Sequence, residues 1–269
     1  MRAHIDIDLF RACFWIYLAS FILFSVYSAS RKRPVGAAAI LLFSAGLLLH
    51  TAGLVARWTI SSHPPLATMY EYSLTMAWFI GAAFAFLAAK TRRIGLGVVV
   101  SPALLLVLVI ASMLPKHASG LMPALQSYWF YIHVSLAAVS EGAFLVASGA
   151  GILFLLKRRG GGGPGALPSS ELLEEIISRA IRIGYPLFTI GALFAGAIWA
   201  QYAWGRFWSW DPKETGALVI WLFYTLVLHQ NAAGKWRGKA LAVTSVIGLA
   251  IILLSFLGNL FLGGLHSYI

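Results

Sequence analysis

Four tryptophans fall within positions 199–215, in the run Trp199-Ala-Gln-Tyr-Ala-Trp204-Gly-Arg-Phe-Trp208-Ser-Trp210-Asp-Pro-Lys-Glu-Thr215. A surface so rich in indole suits a flat, apolar ligand, and equally an aromatic belt at the headgroup level of a bilayer. Asp211, Pro212 and Glu214 read as an N-cap, a first-turn proline and a capping-box glutamate, so a helix starts abruptly after the last tryptophan. The free N–H groups and partial positive charge of that helix start, with Arg206 and Lys213 beside them, favour anionic groups on any such ligand.

The rest of the chain sets where this segment lies. Of 269 residues, 60% are hydrophobic and 11% charged, and the mean hydropathy is +0.82; a water-exposed globule does not tolerate such a balance. Apolar runs long enough to cross a hydrocarbon core, roughly 20 residues each, predict eight spans: Leu9–Ser28, Val35–Trp58, Tyr70–Ala89, Ile94–Leu114, Trp129–Leu156, Ile183–Tyr202, Thr215–Leu228 and Ala240–Leu262. Backbone groups in lipid must satisfy one another, and no barrel-like alternation is present, so the fold class is all-α, a polytopic membrane bundle of about eight transmembrane helices.

Charge orients the bundle. The loops bearing Arg31, Lys32 and Arg33, then Lys90, Arg92 and Arg93, then Lys157, Arg158, Arg159, Arg179 and Arg182, then Lys235, Arg237 and Lys239 fall on one side, fourteen cations against six elsewhere. That side is expected to be cytoplasmic, with both termini and the tryptophan segment outside the plasma (inner) membrane. The net charge of +11 is read as this topology signal plus attraction to anionic lipid, with no nucleic-acid partner. Asp6 and Asp8 precede the first apolar run, which is read as a retained helix and not a cleaved signal. Residues 1–269 form one membrane domain, with a glycine-rich inner linker at 160–168. Ser169 or Ser170, followed by Glu171, Glu174 and Glu175, marks the capped start of a short amphipathic helix.

Seven histidines supply the remaining chemistry. His133 lies at the outer start of the fifth span and His266 just past the outer end of the eighth, level with the tryptophans, so both can hold one metal ion from opposite faces. His229 closes the seventh span at its inner end. His50 sits about 22 Å above the inner end of the second span, at 1.5 Å per residue, so one metal ion does not reach both. His63 and His117 are expected in outer loops, where histidines are ordinarily solvated, and their roles stay open, as does that of His50; His4 is read as inert. Glu71 and Glu141, costly at or within an apolar span, each need a cavity, a polar partner or another subunit, and neither is given a catalytic part. Cys13 is the only cysteine and lies in the first span, which excludes a disulfide framework, a CxxC redox pair and a CxxCH attachment site.

The run Trp204-Gly-Arg-Phe-Trp208-Ser-Trp210-Asp211-Pro-Lys-Glu-Thr215 resembles the WWD signature of the haem-handling superfamily of cytochrome c maturation. Within it the chain is most similar to the CcsA/ResC family of system II, since His63-Pro-Pro-Leu-Ala-Thr-Met-Tyr-Glu71, the segment from Trp129 to His133 and Gly264-Leu-His266-Ser-Tyr268 also match, over roughly the last three quarters of the sequence. Gly216 departs from the pattern, in which an additional aromatic is often found, as does the inner glycine linker. The resemblance implies that haem b, held non-covalently, is conveyed to the outer face and presented there for attachment to apocytochrome c CxxCH motifs. It implies His133 and His266 as axial ligands flanking the WWD segment, and His229 as a ligand of a second haem. The other ligand of that haem would come from a CcsB/ResB membrane subunit, the chain being one subunit of a holocytochrome c synthase. Trp204, Trp208, Trp210 and Asp211 would line the haem platform, Arg206 and Lys213 would meet its propionates, and thiol-reducing thioredoxin-like proteins would serve the substrate cysteines. A HemX-like haem-binding regulator or chaperone and a b-type electron carrier remain as alternatives.

Overall fold

The computed structural model describes residues 4–91, 94–118, 120–159, 168–262 and 264–265. His266 and most of the glycine linker lie outside the described residues. Nine α-helices follow in order among them: α1 Ile5–Ser30, α2 Arg33–Ser61, α3 Met69–Thr91, α4 Gly97–Met113, α5 Tyr128–Arg159, α6 Ser170–Phe188, α7 Gly196–Trp204, α8 Pro212–Ala232 and α9 Lys239–Phe261. A π-helical segment, Thr189–Ala195, joins α6 to α7. The predicted short amphipathic helix and the predicted sixth span are therefore one continuous rod of 35 residues, Ser170–Trp204, started by the Ser169 hydroxyl, which accepts the Leu172 N–H.

The bundle thus has eight rods. Seven are long and apolar enough to cross a membrane among the described residues. The eighth, α8, is polar at both ends, with Lys213 and Glu214 in its first turn and His229, Gln230 and Asn231 in its last, yet its 21 residues span about 31 Å at 1.5 Å per residue. The chain is a polytopic membrane protein, and large apolar side chains such as Leu41, Leu48, Phe86, Phe194 and Leu254 face outward around it, as rods with lipid for solvent require.

Two packed cores hold the rods. One joins α1–α4 to the outer half of α5; the other joins the inner half of α5 to α6, α8 and α9. The α1–α2 hairpin closes tightly because Gly46 and Gly53 of α2 receive the rings of Tyr17 and Phe10. In the second core, Phe144 of α5 stacks on Tyr224 of α8, ring centroids 3.7 Å apart. Gly216 has a packing reason: a Cβ there would strike the Ser255 hydroxyl of α9, so α8 and α9 cross where an aromatic side chain would not fit. Helix α5 belongs to both cores and carries the first candidate ligand at its outer end.

Candidate functional site

His133 projects from the second turn of α5 toward the π-helical segment. Its ring is buried, stacks on Trp199 of α7 at 5.7 Å and 11°, and bonds through Nδ1 to the Gly191 carbonyl at 2.9 Å. A carbonyl only accepts, so Nδ1 carries the proton and Nε2 holds the lone pair, the tautomer of a metal-ligating imidazole. The Gly191 carbonyl also accepts the Gly196 N–H, five residues on. The wide π turn thereby turns a main-chain acceptor toward α5, a use of π segments common at functional sites. Gly196 makes the room: a Cβ there would lie 2.9 Å from Nδ1.

Trp199 is anchored in turn, donating from Nε1 to the Ala124 carbonyl at 2.8 Å and meeting Trp204 edge to face at 4.8 Å. Gly205, with φ +74°, ends α7, and the loop then carries Trp208 and Trp210, T-shaped at 5.8 Å. Trp210 is exposed and has φ +60°, a left-handed conformation that costs a bulky residue about 1–3 kcal/mol. The predicted capping box holds it there. The Asp211 carboxylate accepts from the Lys213 N–H at 2.9 Å, and Glu214 Oε2 accepts from the Ser209 and Asp211 N–H groups at 2.7 and 3.3 Å. The second oxygen of Asp211 accepts the Leu265 N–H at 2.6 Å, tying the start of α8 to the residue directly before His266.

These elements line a cleft of about 70 Å³. His133 and Trp208 line it, as do Lys213 and Glu214, and its remaining walls are largely apolar. Its floor holds a polar pair that the sequence does not announce: the Tyr72 hydroxyl of α3 donates to Glu141 of α5 at 2.6 Å, and the Lys213 ammonium stands 5.8 Å from the centre of the Tyr72 ring. Of the sequence-predicted residues, His133, Trp208 and Lys213 meet in the cleft and Trp204 packs behind it on Trp199. Asp211 is buried beneath the loop, whereas Arg206 and Trp210 face outward. His229 is exposed at the C-terminal end of α8, about 24 Å along the helix from Lys213 at 1.5 Å per residue.

The structure gives roles to groups left open by sequence. Glu71 caps α3, accepting the Thr68 N–H at 3.3 Å while Thr68 accepts the Glu71 N–H at 3.2 Å. It also pairs with Arg57 at 2.8 Å. Arg57, counted in the sequence only as one of six outer cations, is fully buried. It binds Asp6 at 3.2 Å and donates to the Lys116 and His117 carbonyls at 2.8 and 2.6 Å, stitching α1, α2, α3 and the α4–α5 loop together. His63, expected in a solvated loop, is buried with Nδ1 on the Pro64 carbonyl. His50 is buried between Phe10 and Tyr17, outside the cleft.

Residues 66–266 match the family described as "Cytochrome C assembly protein". The cytochrome c biogenesis protein CcsA of Porphyra purpurea is 35% identical over 261 residues, covering 80% of this chain and 82% of that protein. The CcsA protein of Chlamydomonas reinhardtii is 37% identical over 229 residues, covering 80% of this chain and 64% of its own length. A solved structure named cytochrome c heme lyase CcmF superposes with a TM-score of 0.71 at 16% identity; the alignment takes in 96% of this chain and 47% of that one, so the two share a fold over about half the longer protein. The chain therefore belongs to the cytochrome C assembly protein family, among the CcsA proteins of cytochrome c biogenesis.

Proposed function

We propose that this chain binds haem b in the outer cleft and presents it to the CxxCH cysteines of an apocytochrome c, acting with a CcsB/ResB membrane subunit as a holocytochrome c synthase. The observation that carries the reading is His133, a buried imidazole whose tautomer is set by the Gly191 carbonyl and whose ring lies in a cleft walled by the tryptophan segment. His133 supplies one axial ligand. His266, one residue beyond the Leu265 N–H held by Asp211, supplies the other.

Trp208 lines the porphyrin face with Trp204 packed behind it on Trp199, Trp210 and Arg206 stand exposed at the rim, and Lys213 meets the propionates. Axial ligation at the iron leaves a porphyrin edge open to the outside. The reaction is then an addition: each cysteine S–H adds across a vinyl C=C, sulfur to the inner carbon and hydrogen to the terminal one, with no oxidant consumed. The chain's contribution is positioning, and thiol-reducing thioredoxin-like proteins keep the substrate cysteines as thiols. His229, exposed on α8, is a ligand of a second haem on the route from the inner leaflet, completed by the partner subunit. Both termini and the tryptophan segment face outward from the plasma (inner) membrane.

Haem stoichiometry and absorption spectra of the purified chain, alone and with its CcsB-type partner, test this. His133→Ala and His266→Ala are expected to lose outer haem and attachment to a CxxCH substrate together, and His229→Ala only the haem shared with the partner. Unchanged haem content in all three variants would overturn the ligand assignments.

A further inference from the structure

The cleft has one polar end. Along α5, Glu141 lies eight residues inward from His133, about 12 Å at 1.5 Å per residue. Tyr72 and Lys213 reach the same level from the first turns of α3 and α8, so Glu141, Tyr72 and Lys213 make a charged floor beneath apolar walls that include Val134, Ala137 and Phe188. The Tyr72 hydroxyl is bonded to Glu141, its ring lies under the Lys213 ammonium, and Lys213 and Glu141 both line the cleft. Lys213 is held by its main chain, through the Asp211 cap, so its side chain does no work in starting α8.

A haem b molecule is asymmetric in the same sense: its propionates share one edge and its vinyl groups the other side of the ring. An apolar slot ending in an ammonium accepts such a molecule with carboxylates inward, because a carboxylate buried against apolar walls without a partner is far costlier than one meeting a cation and a phenol. We infer that Lys213, backed by Tyr72, anchors the haem propionates at the inner end of the cleft and so turns the vinyl edge toward the outer mouth, with Glu141 as the counter-ion that holds the ammonium until haem arrives. This rests on the haem reading above and extends it from whether haem binds to which way it faces. An incoming cysteine can reach a vinyl carbon only in this orientation; the reverse buries both vinyls beneath the iron.

The test compares haem, haem dimethyl ester, whose propionates are neutral, and mesohaem, whose vinyls are reduced to ethyls, by absorption titration of the full chain in nanodiscs. Haem and mesohaem are expected to bind alike, and the ester about tenfold more weakly, the scale of one charge-assisted hydrogen bond. Lys213→Gln is expected to bind haem and ester equally with an unchanged axial-ligand spectrum, and Glu141→Gln to bind haem more tightly than wild type and the ester no differently. Equal wild-type affinity for haem and ester, or discrimination that survives Lys213→Gln, overturns the orientation; the first result needs no variant. A wild-type chain that binds neither, or a spectrum that survives His133→Ala, overturns the haem reading itself and this inference with it.

Discussion

Gly196 keeps open the volume into which the His133 ring fits: its missing Cβ would sit 2.9 Å from Nδ1 and 3.0 Å from the neighbouring carbon. In a helix, alanine is ordinarily favoured over glycine by about 1 kcal/mol, so packing and propensity pull in opposite directions here. Gly196→Ala is expected to keep helix content, with thermal stability little changed because these two effects offset. The ring nevertheless shifts from the Gly191 carbonyl and low-spin haem is lost almost as fully as in His133→Ala. Circular dichroism with a haem spectrum on the same sample separates the two effects; full haem content in the variant would show that the ring moves aside without cost to ligation. His133 itself can be picked out in the sequence by depth and motif. Its acceptor cannot, because Thr-Ile-Gly-Ala-Leu-Phe-Ala carries no mark of a π turn, and the Tyr72–Glu141 bond joins residues 69 apart in the chain.

At the level of elements, two rods start at the outer face with the same device. Thr68-Met-Tyr-Glu71 opens α3 and Asp211-Pro-Lys-Glu214 opens α8, each with a capping oxygen and a glutamate three residues on, and each glutamate has further work: Glu71 pairs with Arg57 and Glu214 holds the loop of Trp210 through Ser209. The α8 start is legible in sequence because a capping box is a local pattern. The spans are legible because lipid demands long apolar runs. Arg57 is not, since an arginine near the end of an apolar run reads as an interfacial charge until Asp6, Glu71 and two loop carbonyls are seen around it. Arg57→Met strands two buried carboxylates and is expected to cost about 3–5 kcal/mol, read as a lowered unfolding midpoint in detergent. Adding Asp6→Asn and Glu71→Gln to Arg57→Met should recover part of the loss. A single variant as stable as wild type would show that the network is not what joins α1, α2 and α3.

For the whole molecule, fourteen of the twenty Lys and Arg residues fall in four stretches of the sequence, 31–33, 90–93, 157–182 and 235–239, and the positive-inside rule argues from them for the proposed orientation, in which the cleft, the tryptophans and the Arg57 network would lie on the face away from the cytoplasm. The same orientation would set His229, exposed on α8, near the inner leaflet. An imidazole there is better met by another subunit than by hydrocarbon, which is why the two proposed haem sites differ in what they need: the outer one is built from this chain, the inner one is shared. Orientation can be tested without haem, because Cys13, the only native cysteine, is fully buried and should stay silent to a membrane-impermeant maleimide. Tyr202→Cys, at an exposed site beside the tryptophan loop, is expected to label in intact cells, and Lys235→Cys, in the exposed turn between α8 and α9, only after permeabilisation. The reverse pattern would place the cleft on the cytoplasmic side, where a vinyl edge turned toward its mouth could not meet an exported apocytochrome, and the presentation of haem to CxxCH cysteines would have to be abandoned even if His133 proves to be a ligand.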